Sequence, residues 1–315
     1  MRILIVLIRF SGGVGRANTE IAKALRKKGH EVDLLSREND LKKFSFTKGF
    51  WAIRKKVTIL MEIKKYDVIY TQDFSCALPI LIPYPIYFKK HFYCSIGVKW
   101  KRDLSQAFQN IVGGIMGKKT IVISDHNKKR FPKAHLVYRG VNLETFKPLR
   151  KKRKHFGFMN KFSEQVSPER YEKIAKELKL ISISSGEAKT KKIKRSFTQE
   201  GKHSFDKIPD DKMNEFYNKC KVFINLATPD AGFNLSWLEA MAAGVPIVIG
   251  NNNGAGPMLP FDKIDNLDNL EGEIKKIIKN PKKINYRKWI IGKGFTWDKV
   301  ADKLLMVFEN EKKNS

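Results

Sequence analysis

Residues 2–36 read RILIVLIRFSGGVGRANTEIAKALRKKGHEVDLLS, and this stretch decides the fold. The unbroken apolar run at 3–8 is typical of a strand buried on both faces. A glycine-rich turn at 11–15 leads into a segment whose apolar residues recur at helical spacing, and Gly29 ends that helix. A second strand, 31–35, follows at once. These short connections predict a βαβ unit and therefore a parallel sheet.

The alternation of short apolar runs with helical segments continues to the end of the chain. A basic run at 150–154 interrupts it, and we interpret this run as a hydrated linker because five like charges resist compact packing. Two Rossmann-like, doubly wound α/β domains with parallel sheets are therefore predicted. The further predicted strands are 67–70, 92–95, 120–124, 135–138, 155–158, 180–184, 222–226 and 246–249, and the helices are 51–63, 104–116, 168–178, 209–217 and 234–243.

Composition supports two globular domains. At roughly 150 residues per domain, the 315 residues allow two. Hydrophobic residues make up 42% of the chain, too many for a wholly disordered protein. The net charge of +30 and a pI of about 9.9 make the surface attractive to polyanions, including phosphorylated substrates, anionic lipid and nucleic acid.

The cysteines and the first apolar run indicate the cellular compartment in which the protein is expected. Cys76, Cys94 and Cys220 are far apart in sequence and form no CxxC pair, which argues against a disulfide framework and against a thiolate metal site. The apolar run at 3–8 is shorter than a signal peptide requires and far below the ~20 residues of a spanning helix. We expect a cytoplasmic protein without a membrane-spanning segment.

The glycine-rich turn is a candidate phosphate site. Gly12, Gly13 and Gly15 lie between a buried strand and a helix, where backbone amides and the positive helix end favour an anion. A dinucleotide fingerprint, with Asp33 on a ribose hydroxyl, is an alternative, but the third glycine of that fingerprint is replaced by Asn18. A purely structural tight turn is the other alternative.

The most informative stretch is 230–246, DAGFNLSWLEAMAAGVP. It enters a helix through Gly232, keeps Leu235, Leu238 and Met241 at core spacing, and leaves through a turn into a strand. Glu239 lies within this helix. A carboxylate so held can accept two hydrogen bonds from a vicinal diol such as a ribose.

Together with three further motifs, this stretch resembles the GT-B glycosyltransferases, specifically the large retaining family 4. The motifs are SGG at 11–13 with GHEV at 29–32, GVNLETFKP at 140–148, and FTWDKVA at 295–301. The resemblance implies a GT-B fold, with two Rossmann-like domains facing a central cleft. We expect an acceptor-side domain at 1–148, a nucleotide-sugar domain at 149–294, and a C-terminal helix at 295–315 that crosses back to the first domain.

The resemblance also implies a function and a site. The expected reaction transfers a sugar from a nucleoside diphosphate sugar to a hydroxyl acceptor, with retained configuration and without metal or other cofactor, in glycolipid, polysaccharide or glycoprotein glycan assembly. Consistently, the sequence contains no Asp-x-Asp triplet and no clustered histidines. Glu239 would hold the ribose. The other implied donor-binding residues are Gly12, Gly13, Lys161, Gly232, Phe233, Asn234 and Leu235, and Asp230 is the candidate catalytic residue.

The chain departs from the family pattern at charged positions. A family Glu that grips the sugar is replaced by Ala231, with Asp230 one residue earlier. A family Arg and Lys that pair with the diphosphate are matched by Phe158 and Val166, so Lys161 would have to compensate. The family's first-domain His is replaced near residues 96–97. A catalytically silent relative with a binding or scaffolding role is therefore the alternative function.

A further hypothesis concerns contact with a membrane. It rests on residues 76–88, an apolar run broken by three prolines. Five cations and two aromatic residues follow it, a mixture that suits an anionic membrane interface and a lipid-linked acceptor. The protein would then be peripheral at the inner face of the cell membrane; the alternative is a buried loop and strand. Single-stranded nucleic acid is a less favoured partner, because no recognition motif is present. The cations are Lys89, Lys90, Lys99, Lys101 and Arg102.

Overall fold

The computed structural model describes residues 1–10, 12–36, 63–81, 85–96, 104–159, 166–185, 208–227 and 232–313. The chain divides into two compact units. The first comprises Met1–Gly140, Asp230–Phe233 and Gly294–Ser315, and the second comprises Val141–Pro229 and Asn234–Lys293.

The first unit is built on a six-stranded parallel sheet in the order β2-β1-β3-β4-β5-β6, with helices packed against it. The central strands are buried on both faces, which explains their continuous apolar sequence. The elements are β1 (Arg2–Leu7), α1 (Gly12–Lys27), β2 (Glu31–Ser36), β3 (Val68–Gln72), α2 (Phe74–Leu81), β4 (His91–Ser95), α3 (Leu104–Met116), β5 (Thr120–Val122), α4 (Asp125–Arg130), β6 (His135–Leu136) and, last in the chain, α10 (Trp297–Lys313).

The second unit has a five-stranded parallel sheet in the order β11-β10-β9-β7-β8. Its core includes a cluster of buried aliphatic and aromatic side chains from β7, β9, β10 and the helices around them. The elements are β7 (His155–Met159), α5 (Pro168–Glu177), β8 (Ile181–Ser185), α6 (Met213–Lys219), β9 (Cys220–Ile224), α7 (Leu235–Ala242), β10 (Ile247–Gly250), β11 (Asp262–Lys263), α8 (Leu270–Lys279) and α9 (Tyr286–Gly292).

These elements confirm the predicted α/β class and most predicted strands and helices within a few residues. The predicted helix 51–63 lies outside the described residues except for Ile63, which begins a short 3₁₀ turn, Ile63–Lys65. The largest local difference is α2, because residues from 76 onward were expected to form a loop and strand or a membrane surface. Residues up to Leu81 form a helix in which Cys76, Ala77 and Ile80 are buried despite Pro79, and Pro85–Lys90 form a 3₁₀ turn beyond the gap in the described residues. Burial of this face outweighs the helix-breaking tendency of proline.

The interpretation of the basic run as a hydrated linker is wrong for one residue. Arg153 donates hydrogen bonds to the carbonyl oxygens of Tyr217, Cys220 and Ala243, and to Oδ1 of Asn218, at 2.8–3.3 Å. Burial lowers the pKa of this guanidinium. Arg153 therefore ties the start of β7 to α6 and to the end of α7. The other four cations of the run are exposed, as expected for hydrated side chains.

Two of the motifs quoted above meet in the first unit. Gly140 lies so close to the backbone of Thr296 and Trp297 that a Cβ atom would come within 2.7 Å of both residues. The helix that follows, α10, packs against α1, where Lys28 pairs with Asp302 at 2.6 Å. Glycine at 140 is therefore required by the close approach of the C-terminal segment.

A buried histidine makes the stability of the first unit sensitive to acid. His91 on β4 is inaccessible to solvent, and its Nε2 lies 2.8 Å from Oγ1 of Thr71. Burial, aided by the positive charge of Lys119, lowers the pKa of His91 from 6.5 to about 3. The unfolded chain then binds the extra proton below pH 6.5, so stability falls as the pH falls from 6.5 toward 3.

We expect His91 to cost about 2 kcal/mol of unfolding free energy between pH 7 and pH 5. Replacement by His91→Gln, which stays neutral, removes that part of the acid sensitivity. Urea denaturation of both proteins at the two pH values measures the difference. Equal losses in the two proteins would show that His91 does not control the acid response.

Candidate functional site

Glu239 is the central residue of the candidate site in the second unit. It lies on α7 with only 4% of the residue exposed, and the hydroxyl of Tyr217 on α6 donates to its Oε2 at 2.8 Å. A buried carboxylate is costly without hydrogen bonds, so this contact orients the side chain. The ring of Tyr217 in turn lies between Phe146 and Phe223, with centroids at 6.0 and 5.2 Å. The carboxylate is therefore held in one direction.

The start of α7 is attached to the end of β9. Asn225 follows that strand; its Nδ2 donates to Oγ of Ser236 at 2.7 Å, and its carbonyl oxygen accepts from Nε1 of Trp237 at 2.8 Å. Trp237 is fully buried and packs on Phe261 with ring centroids 5.0 Å apart. These contacts place the first turn of α7, and with it Glu239, at the carboxyl edge of the sheet.

The first turn of α7 has features of an anion site. Asn234 precedes the helix, but its side chain makes no capping hydrogen bond, and its buried Nδ2 has no hydrogen-bond partner among the residues that the structure describes. The first amides of a helix lack partners within the helix and favour negative charge. With a rise of about 1.5 Å per residue, these amides and Glu239 lie about one turn apart. An anion and a diol of one ligand fit that spacing.

Asn251 and Asn253 form a second part of this edge that the sequence analysis missed. The amide of Ala227 donates to Oδ1 of Asn251 at 3.1 Å, and the carbonyl oxygen of Ala227 accepts from Nδ2 of both Asn251 and Asn253. These bonds link the chain after β9 to the chain after β10. The available signal was the unusual run NNNG at 251–254, directly after a predicted strand. Tyr217 carried no comparable signal.

The glycine-rich turn forms the start of α1 in the first unit. Gly12 has φ of +75°, and a Cβ there would meet open space, whereas Gly13 is exposed. Gly15 is different because a Cβ would overlap the carbonyl group of Phe10. The first turn of α1 contains no acidic residue. Gly12 and Gly13 thus leave the positive end of a 16-residue helix open to a ligand.

We expect Gly15→Ala to destabilise the protein more than Gly12→Ala does. At Gly12 only the positive φ opposes a side chain, which costs about 1 kcal/mol. At Gly15 the backbone must move, and overpacking of this kind costs about 3 kcal/mol. Thermal and urea unfolding of the two variants measures the difference. A Gly15→Ala variant as stable as Gly12→Ala would contradict the close approach.

Asn18, which interrupts the dinucleotide fingerprint, belongs to the core of the first unit. Its Nδ2 donates to the carbonyl oxygen of Val14 at 2.9 Å and to Oε1 of Gln72 at 2.5 Å. Asp33, the residue that the dinucleotide interpretation places on a ribose, accepts from the hydroxyl of Tyr66 at 2.8 Å. The packing of α1 on β3 thus uses a polar pair where the fingerprint has a glycine.

Gly232 and Phe233 belong to the first unit, whereas Asn234, Leu235 and Glu239 belong to the second. A Cβ at Gly232 would overlap the carbonyl oxygen of Ile96. Phe233 packs against Tyr138 and Phe295, each with ring centroids 6.2 Å apart. Gly232 is thus needed for close packing in the first unit, an interaction that its place before a helix did not predict.

Tyr138 is anchored beneath Phe233. Its hydroxyl donates to Oδ2 of Asp125 at 2.8 Å. Burial, together with the carboxylate of Asp125, raises the pKa of Tyr138 above its usual range. The phenol therefore remains a hydrogen-bond donor at neutral pH and holds the aromatic cluster in place.

Two predicted residues, Lys161 and Asp230, lie outside the described residues. The positions matched to the family's cations are described: Phe158 is fully buried, and Val166 is almost so. Both belong to the core cluster of the second unit, and Phe158 packs on Tyr171 with ring centroids 5.0 Å apart. Phe158 and Val166 therefore stabilise the core and supply no positive charge to a phosphate.

The described part of the chain contains no group of three or more His, Cys, Asp or Glu side chains that could hold a metal ion. Cys76, Cys94 and Cys220 are all buried and unpaired with one another. His135 is near Glu311 of α10, with Nε2 and Oε1 3.1 Å apart. The described histidine contacts are thus explained by packing within a unit.

The folds of solved structures define the class of protein. Sucrose-phosphate synthase from Thermosynechococcus elongatus is similar over 100% of both chains, with a TM-score of 0.75 and 14% identity. The Anabaena protein HepE in complex with UDP matches over 98% of this chain and 100% of its own, with a TM-score of 0.71 and 13% identity. UDP-GlcNAc 2-epimerase from Methanocaldococcus jannaschii matches over the same shares, with a TM-score of 0.63 and 13% identity. The fold is GT-B.

A match between part of the sequence and a protein-family model narrows the class of protein that the fold defines. Residues 152–260 match the family model described as glycosyl transferases group 1. This segment holds β7, the start of α7 and Glu239. The predicted resemblance to GT-B glycosyltransferases is thereby confirmed, and the second unit carries the family's sequence pattern. A comparison with curated proteins found no match.

Proposed function

We propose that this protein transfers a sugar from a nucleoside diphosphate sugar to a hydroxyl acceptor, with retained anomeric configuration and without a metal ion. The observation that carries the proposal is the buried carboxylate of Glu239, which Tyr217 orients, one turn after a helix start that the side chain of Asn234 does not cap. This arrangement lies within the segment that matches the glycosyltransferase family. In this arrangement the carboxylate can accept hydrogen bonds from the hydroxyls of a diol, and the helix start can bind an anion of the same ligand.

In the proposed reaction, Glu239 accepts hydrogen bonds from the ribose hydroxyls of the donor. The amides at the start of α7 face the diphosphate, and the backbone of 232–235 presents the other predicted donor contacts. Negative charge grows on the nucleoside diphosphate as its bond to the sugar breaks. Fixed dipoles that await this charge stabilise the transition state more than the ground state. Gly12 and Gly13, at the open end of α1, are the proposed donor-binding residues of the first unit.

The proposal assigns two roles to residues outside the described ranges. Lys161 replaces the family's diphosphate cations, since Phe158 and Val166 are part of the core. Asp230 takes the place of the carboxylate that grips the transferred sugar. Both roles rest on the sequence resemblance. The acceptor is proposed to be a hydroxyl group in glycolipid, polysaccharide or glycoprotein glycan assembly in the cytoplasm.

A catalytically silent, nucleotide-binding relative is the second candidate, and the buried Phe158 and Val166 favour it. A charge-assisted hydrogen bond to a phosphate contributes roughly 1.5–3 kcal/mol. Loss of two such bonds, if they form only in the transition state, would lower the rate by several powers of ten. Under this alternative the protein keeps the ribose site and binds a nucleotide without turning over its sugar conjugate.

Titration calorimetry with UDP, GDP and ADP, followed by product analysis with the corresponding sugar conjugates, tests both candidates. UDP is the first probe because the structurally similar HepE is in complex with it. Binding and transfer in the presence of a chelator, with the configuration read by NMR, support the proposed reaction. Binding without transfer or hydrolysis supports the silent relative. A protein that binds none of the nucleotides would contradict both.

A further inference from the structure

The first unit carries an exposed apolar stripe on α3 that the site does not use. Phe108, Ile111 and Ile115 are 40%, 54% and 61% exposed. Their spacing of three and four residues places them on one face of the helix. The helix sequence LSQAFQNIVGGIM contains no charged residue. Water therefore contacts a continuous line of large apolar side chains over about two turns.

The face of α3 next to the stripe is part of the core, so the stripe has a fixed orientation. Val112 and Met116 are buried in a cluster with Phe74 and Tyr93. Phe108 extends this cluster to the surface, because its ring stacks on Phe74 with centroids 5.7 Å apart and planes 12° apart. The exposed side chains are thus presented by a helix that is rigidly packed underneath.

Exposed cations border the carboxyl end of the stripe. Lys118 follows α3 directly and is exposed, and Lys89 is exposed on a neighbouring turn. The two turns are joined by Lys119, whose Nζ donates to the carbonyl oxygens of Phe88 and Lys89 at 3.1 and 2.6 Å. In sequence, residues 74–124 hold seven Lys and Arg but a single acidic residue, Asp103. This part of the sequence is therefore strongly basic, and two of its cations, Lys89 and Lys118, are exposed in the structure.

We propose that the α3 stripe (Phe108, Ile111, Ile115) docks the protein reversibly on an anionic phospholipid bilayer. Apolar side chains of a surface helix enter the boundary between headgroups and acyl chains, while flanking cations attract the anionic headgroups. This face is distinct from the run 76–88, of whose described residues Cys76, Ala77 and Ile80 are buried. Among the described residues, no helix is long and apolar enough to cross a membrane.

Charge favours a bilayer over a second copy of this chain. Two copies, each with a net charge of +30, repel one another, whereas an anionic bilayer attracts both. Three side chains also offer far less area than the ~1,200 Å² that a specific protein interface buries. The inference does not depend on the proposed sugar transfer, since docking needs no nucleotide.

Co-sedimentation with vesicles tests the proposal. The wild-type protein is expected to bind vesicles of equal parts phosphatidylcholine and phosphatidylglycerol, to bind pure phosphatidylcholine weakly, and to dissociate in high salt. The double variant Ile111→Glu/Ile115→Glu should lose at least about tenfold in vesicle affinity. The variant Lys89→Ser/Lys118→Ser should bind more weakly and with less dependence on salt.

The matched control is Ile291→Glu on α9, where the isoleucine is 60% exposed but lies in the second unit. It should bind vesicles as the wild type does. Circular dichroism verifies that each variant folds, and Ile115→Gln provides a milder change if the double variant does not. Absence of wild-type binding to the mixed vesicles would overturn the proposal, as would equal binding by the stripe variants.

Sedimentation velocity tests whether a second copy of this chain, instead of a bilayer, covers the stripe. If the wild type is a dimer that binds no vesicles, and the double variant is a monomer, the stripe is assigned to self-association instead. The UDP affinity of the double variant should equal that of the wild type. A wild-type protein that binds vesicles but no nucleotide would contradict the proposed function and leave the docking surface intact.

Discussion

Glu239→Ala is expected to abolish UDP binding while leaving the fold intact. Two hydrogen bonds between a carboxylate and the ribose hydroxyls, at roughly 1.5–3 kcal/mol each, amount to a loss of at least about 100-fold in affinity. Glu239→Gln keeps the shape of the side chain but removes the charge, so it should show a smaller loss. Isothermal titration calorimetry on the folded variants, with circular dichroism as the check on folding, gives both values.

The matched control is Glu215→Ala, two residues before Tyr217 on α6. The side chain of Glu215 is about half exposed, at 46%, and forms ion pairs with Lys151 at 3.6 Å and Lys212 at 3.8 Å. Its loss should change neither the UDP affinity nor the stability by more than about 0.5 kcal/mol. Unchanged UDP affinity in Glu239→Ala would refute the assignment of the ribose site, even if the protein proved to be a transferase.

Arg153→Ala should lower the free energy of unfolding by about 3 kcal/mol. The guanidinium donates to three backbone carbonyl oxygens and one amide oxygen, and these acceptors lose their partner together. Each unsatisfied group costs roughly 1–3 kcal/mol when buried, and water recovers part of this because the side chain is only half buried. Arg153→Lys should restore little, because an ammonium group lacks the planar fork of donors. Urea unfolding of the wild type and of the two Arg153 variants measures these free energies of unfolding.

Lys152→Ala is the natural comparison, since it removes the neighbouring cation of the same basic run. Lys152 is exposed, so its loss should change the unfolding free energy by no more than about 0.5 kcal/mol. Similar effects for the two substitutions would mean that Arg153 acts through its charge alone and that the hydrogen bonds contribute little.

Much of the fold was predictable because buried parallel strands leave a direct mark in sequence. The strand β1 was recognised from an unbroken apolar run, β2 from its place directly after the glycine that ends the first helix, and α3 was predicted at its observed bounds from helical spacing. The helix α2 was missed because Pro79 and two later prolines indicate irregular structure. Six of its eight residues are buried, and this tertiary packing outweighs the local preference.

The candidate site was predictable only in part. The spacing in 230–246 correctly placed Glu239 on a helix between two strands. Its partner Tyr217 is 22 residues away on another helix, and no local pattern joins the two. Asn225 and Asn251 are also brought to the site edge by strand pairing. Sequence spacing reports on neighbours along one helix or strand, whereas these contacts depend on how separate elements pack.

By itself, the sequence determined that this protein is built from parallel α/β units, that a glycine-rich stretch joins the first strand to the first helix, and that Glu239 lies on a helix. These properties follow from local periodicity and backbone freedom, which the order of residues specifies directly. Only the tertiary structure decided that Tyr217 orients Glu239, that Arg153 is an internal tie, and that the apolar surface of the first unit lies on α3. Burial and hydrogen-bond partners are set by distant elements that share a core, so they appear only once the chain has folded.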